Sequence, residues 1–136
     1  MNFEKRLAIS LLSLRLGVFL VMFMWTIDKF INPNHAAKVF QHFYKVDWLT
    51  VNTSYIVGGF QLLLVLGFLF GFYKKWTYGA IFAMHAVSTL SSWKMYFDPW
   101  APRNLLFFAA WPMLAALLAL YLLRDKDTLL TFKTKK

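Results

Sequence analysis

The chain has 136 residues, 60% of them hydrophobic, with mean hydropathy +0.52. Lys plus Arg total 15 against 6 Asp plus Glu, a net charge of +9, and there is no cysteine. The composition excludes disulfides, thiolate metal sites and CxxC redox chemistry, and in so apolar a chain the positive charge is read as span-flanking contact with anionic lipid headgroups rather than with nucleic acid.

Four apolar stretches follow one another, roughly 9–31, 51–72, 76–96 and 105–123. Each has about 20 residues, enough to cross a hydrocarbon core of about 30 Å as a helix. In lipid every backbone N–H and C=O needs an internal partner, which favours helices. A membrane β-barrel would need alternating polarity, and Phe60-Gln61-Leu62-Leu63-Leu64-Val65-Leu66 does not alternate. The expected fold is all-α: one transmembrane domain over residues 1–136, an integral membrane four-helix bundle with a short amphipathic helix in the first outer loop.

The first stretch follows a short basic segment, Lys5-Arg6, and continues into Trp25, Asp28 and Lys29, so it reads as an uncleaved first span rather than a signal peptide. Next comes the loop helix. Asn32 is placed to cap it and Pro33 to begin it, with Ala36, Val39, Phe40 and Phe43 at helical spacing. It is expected to lie on the outer surface or to close the mouth of the bundle as a lid. The second and third spans join through a tight turn at Gly71-Phe72-Tyr73-Lys74-Lys75. Gly58-Gly59 and Gly67 are expected to permit close helix approach, with Gly67 and Gly71 a small-xxx-small pair. Asp98 to Arg103 forms a stiff loop with two prolines, and Pro112 is expected to kink the fourth span. The tail carries Leu129, Leu130 and Phe132 beside Lys133, Lys135 and Lys136, a pattern for membrane-surface association.

With the N-terminus inside, that side carries ten Lys and Arg against five on the other. The positive-inside rule then puts both termini in the cytoplasm. Trp25, Trp48, Trp93 and Trp100 fall near the outer interface as anchors.

Polar groups inside a span are costly, so each is a candidate site. Gln61 and His85 fall near the middle of the second and third spans, and Ser88, Thr89 and Ser92 share the face of His85. Asp28, Lys29, Asn52, Lys94 and Asn104 come near the outer ends. The set suits a pocket opening outward, with His85, Gln61, Ser88 and Ser92 holding a ligand and Asp28 and Lys94 at its mouth. A midplane imidazole can exchange a proton, donate to a quinone carbonyl or ligate a metal; the plainer alternative is a packing hydrogen bond. No second buried histidine offers a bis-histidine haem site, and His35 and His42 lie in the loop at spacing seven, not the usual four for a helical metal pair. Asp28 has Lys94 or Arg103 as expected partners, and Arg15 has Asp125 or Asp127, or the inner headgroups. No nucleotide-loop, nucleophile-elbow or H-E-x-x-H motif occurs, and Glu4 is the sole glutamate.

Arg15-Leu16-Gly17, Asp28-Lys29-Phe30, the loop from Pro33-Asn34-His35-Ala36 to Phe43-Tyr44, and Gly58-Gly59-Phe60-Gln61 with Gly67 and Gly71 together give a chain that resembles the DoxX family of small four-span membrane proteins. That family includes the DoxD-type subunit of thiosulfate:quinone oxidoreductase. The resemblance implies a bacterial inner-membrane protein working with quinones or with thiol and sulfur metabolism, often as one component of a larger redox complex. Two departures stand out. Many relatives carry an acidic residue near the position of Gln61, and thiol chemistry has no cysteine here. Three functions follow as expectations: quinone or small-amphiphile binding, a non-catalytic subunit or anchor, and a small transporter or channel.

Overall fold

The computed structural model describes residues 1–45 and 51–132. Trp48 and the tail lysines from Lys133 onward lie outside the described residues. Among those described there are helices and no strands. They are α1 (Phe3–Ile31), α2 (Pro33–Tyr44), α3 (Val51–Phe70), α4 (Lys74–Ser91), α5 (Trp93–Phe97) and α6 (Ala110–Leu122). A 3-10 segment, Asn104–Ala109, leads into α6, and a shorter one, Arg124–Lys126, follows it.

Three helical stretches are long and apolar enough to cross a membrane: Phe3–Ile31, Asn52–Phe70 and Asn104–Leu122. Leu20, Met24, Phe60, Leu63, Leu118 and Leu122 are exposed on their surfaces. Such apolar outward faces suit lipid and would be a liability in water. The chain is therefore an integral membrane protein. The third expected stretch is less apolar, with Lys74, Lys75, Thr77, His85, Ser88, Thr89 and Ser91 on α4.

Helix α1 begins at Phe3, ahead of the expected Ile9, because Asn2 caps it by accepting the backbone N–H of Lys5 at 2.8 Å. Its neighbours are α3 on one side and α6 on the other, and α3–α4 and α4–α6 contacts complete a ring. The core is Leu11, Val18 and Met22 from α1, Val65 and Phe68 from α3, Tyr78 and Ile81 from α4, and Leu117 and Leu120 from α6. In lipid, such interiors are held by close packing rather than by expulsion of water. Gly58 and Gly67 allow it: a β-carbon at Gly58 would sit 3.0 Å from the Phe30 ring, and one at Gly67 2.9 Å from Thr77 Cγ2. Gly59 does not share this role, since nothing lies within 4 Å of its absent side chain.

The α3–α4 turn closes as the sequence suggests. Phe72 N–H donates to Gly67 O at 2.9 Å and Gly71 N–H to Phe68 O at 3.3 Å, with Gly71 at φ +69°. This is a Schellman stop, which requires the left-handed conformation that glycine adopts freely. Two expectations change. The helix predicted to run on to Tyr96 breaks at Ser92, and α5 is a separate short helix. Pro112 does not kink a continuous helix; the segment is 3-10 up to Ala109 and α-helical from Ala110, which puts Pro112 in the first turn of α6. Amides of a first turn have no intrahelical acceptor, so a missing N–H costs little there.

Candidate functional site

Polar side chains gather at two places, one at each end of the bundle. The first lies where α1 begins and α4 follows its turn. Arg15 and Asp127 are both buried and pair at 2.6 Å. The remaining Arg15 amino group donates to Leu129 O at 2.5 Å and Leu130 O at 3.4 Å, while its Nε has no partner. Tyr78 donates its hydroxyl to the other Asp127 oxygen at 2.5 Å. Lys74 donates to Arg124 O at 3.1 Å and to Asp127 O. Burial pulls the Lys74 ammonium below its ordinary value, against the opposing pull of Asp127. Helix side chains lean toward the N-terminus, which is how Arg15 reaches back to this end. Of the expected partners, Asp127 is the one that it meets. Tyr78 was not singled out from the sequence, where it reads as one more aromatic in an apolar run.

The second place is a cavity of about 1280 Å³. Its walls come from α1, α2, α4, the 3-10 segment and the start of α6. On α1 the wall includes Gly17, Met22 and Trp25; on α2, Ala36, Phe40 and Phe43; beyond α5, Phe107 and Met113. Gly17 has open space where a side chain would stand. The ring of Phe43 lies 5.8 Å from that of Phe107, which brings α2 against the 3-10 segment at the cavity rim.

Five of the six residues expected at a ligand site line this cavity: His85, Gln61, Ser88, Ser92 and Asp28. Lys94 does not. The break at Ser92 puts it on α5, where it is exposed and sits 5.6 Å over the Trp93 ring. Asp28 meets neither Lys94 nor Arg103 in an ion pair. Its carboxylate lies 2.6 Å from Nδ1 of His35 on α2 and accepts from the Asn32 amide at 3.4 Å. Asn32 consequently caps α2 by position only, with no side-chain capping bond.

His85 is almost fully buried. Its Nε2 lies 2.9 Å from the carbonyl oxygen of Ala110, and its Nδ1 has no partner. A carbonyl only accepts, so Nε2 carries the proton and, in the neutral ring, Nδ1 carries the lone pair. A neutral His85 thus accepts at Nδ1 and does not donate there to a quinone carbonyl. The ring stacks on Trp25, centroids 6.0 Å apart and planes at 25°. Trp25 therefore belongs to the cavity wall as well as to the surface, a role that counting along one helix does not reveal.

The neighbouring hydroxyls are largely spent on their own helix. Thr89 donates to His85 O at 2.7 Å and Ser92 to Ser88 O at 3.2 Å. Gln61, on α3, is buried and lines the cavity. Lys29 also lines the cavity and is buried, with its Nζ 3.4 Å from Trp25 O. Compared with family models, curated proteins and solved structures, the chain gives no match.

Proposed function

We propose that the protein crosses the membrane four times and holds a quinone or similar small amphiphile in the cavity between α1, α4 and α6. In this reading α4 is the third of the four spans, α2 lies at the outer surface as an amphipathic lid, and both termini face the cytoplasm of a bacterial inner membrane. The positive-inside count supports that orientation, and the resemblance to the DoxX family supports the redox association.

One observation carries the reading. A buried imidazole in a mostly apolar wall is fixed through Nε2 and left with an unbonded Nδ1. A buried polar atom without a partner costs about 1–3 kcal/mol, and a ligand hydroxyl donating to it removes that cost. The hydroxyl of a reduced quinone head has this chemistry. Gln61 on the cavity wall offers both a donor and an acceptor, and large, mostly apolar cavities with few polar groups are the usual form of small-molecule sites.

The test is the quinone content of protein purified in mild detergent, measured by extraction and mass spectrometry against an unrelated four-span control. Near-stoichiometric quinone, lost in His85→Phe while the variant stays folded, is the expected result. Quinone no higher than in the control removes quinone as the ligand. A second reading, a non-catalytic anchor or subunit of a redox complex, draws on the hydroxyls of Thr89 and Ser92, which are spent on their own helix and leave few groups for chemistry. It predicts stable co-purification with a redox partner, unaffected by His85→Phe.

A further inference from the structure

Lys29 stands out among the charged groups of the bundle. Its residue is 9% exposed, and among the described residues its ammonium makes one bond, a long one of 3.4 Å to Trp25 O. An ammonium has three donors to satisfy. Asp28 is its sequence neighbour, but adjacent side chains on a helix diverge, and the Asp28 carboxylate is taken by His35 and Asn32. No other carboxylate lines the cavity among the described residues. The contrast is Arg15, fully buried and bonded directly to Asp127.

The position of this ammonium is set by the helix. Side chains lean toward the N-terminus, so Nζ comes back one turn to the level of Trp25, whose ring stacks on His85. The aliphatic stem is held in place, since Lys29 Cβ packs where Gly58 leaves room, 3.2 Å from the point a β-carbon would occupy. The Asp28 charge acts on Lys29 from nearby without pairing with it directly. A charge removed from water without a bonded counter-charge is unfavourable, and inside membranes such groups mark ligand or ion sites. Besides polar groups such as His85, Gln61 and Asp28, the cavity that Lys29 borders is walled largely by apolar side chains such as Met22, Val39, Phe40 and Met113.

We propose that the cavity's ligand is a monoanionic, single-chain amphiphile, a carboxylate whose head binds Lys29 beside Trp25 while its chain lies along the apolar wall. This rests on the amphiphile reading above and names the ligand's class. A single ammonium neutralises a single charge. Phosphate heads, with more charge and more oxygens, usually call for several cations or for the forked guanidinium of arginine, and no arginine lines this cavity among the described residues.

The test is native mass spectrometry of the whole protein released from detergent micelles, with palmitate, methyl palmitate and a short-tailed ubiquinone analogue offered in turn. Lys29→Met keeps the stem and removes the charge; Lys29→Arg keeps the charge. Palmitate is expected to be retained about tenfold more than its ester, the equivalent of one hydrogen bond to a charged group. That preference should vanish in Lys29→Met and survive in Lys29→Arg. Equal retention of palmitate and ester by the native protein, or an undiminished preference in Lys29→Met, overturns the carboxylate inference and leaves the amphiphile reading standing. Retention of none of the three probes removes both.

Discussion

The two ends of the bundle treat buried polar groups in opposite ways. Around Asp127, partners from α1, α4 and the segment after α6 converge: Arg15, Tyr78 and Lys74 all bond to one residue. Around the cavity, His85 keeps one nitrogen unbonded and Lys29 makes a single long contact. Both sets are withdrawn from solvent, so burial alone does not separate them. What separates them is charge pairing: Arg15 Nε is unbonded as well, but its guanidinium is paired with Asp127, whereas Lys29 has no ion pair among the described residues. Paired networks hold a fold together, while an unpaired charge beside a cavity leaves bonding capacity for something else.

Removing one partner at the paired end should have the largest effect. Asp127→Ala leaves Arg15 buried and unpaired, a change that costs about 3–5 kcal/mol for a buried pair. Thermal unfolding in detergent should show a large loss, with much of it recovered in the double variant Arg15→Met with Asp127→Met. Tyr78→Phe should come next, at about 1.5–3 kcal/mol for a hydrogen bond to a charged acceptor, read in the same assay. A loss as small as that of an exposed substitution would mean that the Asp127 network does not anchor this end. At the cavity the order of consequences reverses. His85→Phe removes the unpartnered Nδ1 together with the Nε2–H bond to Ala110 O, so stability should fall by about 1 kcal/mol, less than for either change at the other end, yet ligand retention should be abolished. Gly17→Leu is the sharpest form of the comparison. Leucine has a higher helix propensity than glycine by up to about 1 kcal/mol, and it meets open space at Gly17, so stability should hold or rise slightly while the cavity fills and ligand retention falls. Substantial unfolding by Gly17→Leu would show that the cavity closes around Gly17 in the membrane.

Much of this arrangement is legible in the sequence, for reasons that differ by residue. Long apolar runs mark the first and second stretches because the lipid requirement acts on composition directly. Depth counting brings His85, Ser88 and Ser92 to one wall because they share a helix face. The same counting misplaces Lys94, since it assumes a helix unbroken through Ser92, and no proline or glycine announces that break. It also misses Trp25 against His85, because a single helix pattern carries no information on the rotation of its neighbour. Pro112 is visible as a breaker, but whether it sits inside a helix or in its first turn depends on the 3-10 segment before it. Arg15 with Asp127 can be named as an option from charge scarcity alone; Tyr78 and the backbone carbonyls that complete the cluster need the folded chain.

The pairing of Arg15 with Asp127 spans 112 residues of sequence, and this sets a condition on biosynthesis. The arginine leaves the ribosome when none of its partners yet exists. It must wait at a headgroup, in the insertion machinery or against an assembly factor until a further 112 residues have been translated. Only then does Asp127 arrive, bringing the carbonyls of Leu129 and Leu130 with it, and only then does the first helix settle at its final depth. A message cut short upstream of Asp127 would yield a chain with every long helix made and one stranded cation among them, a signature that membrane quality control can read.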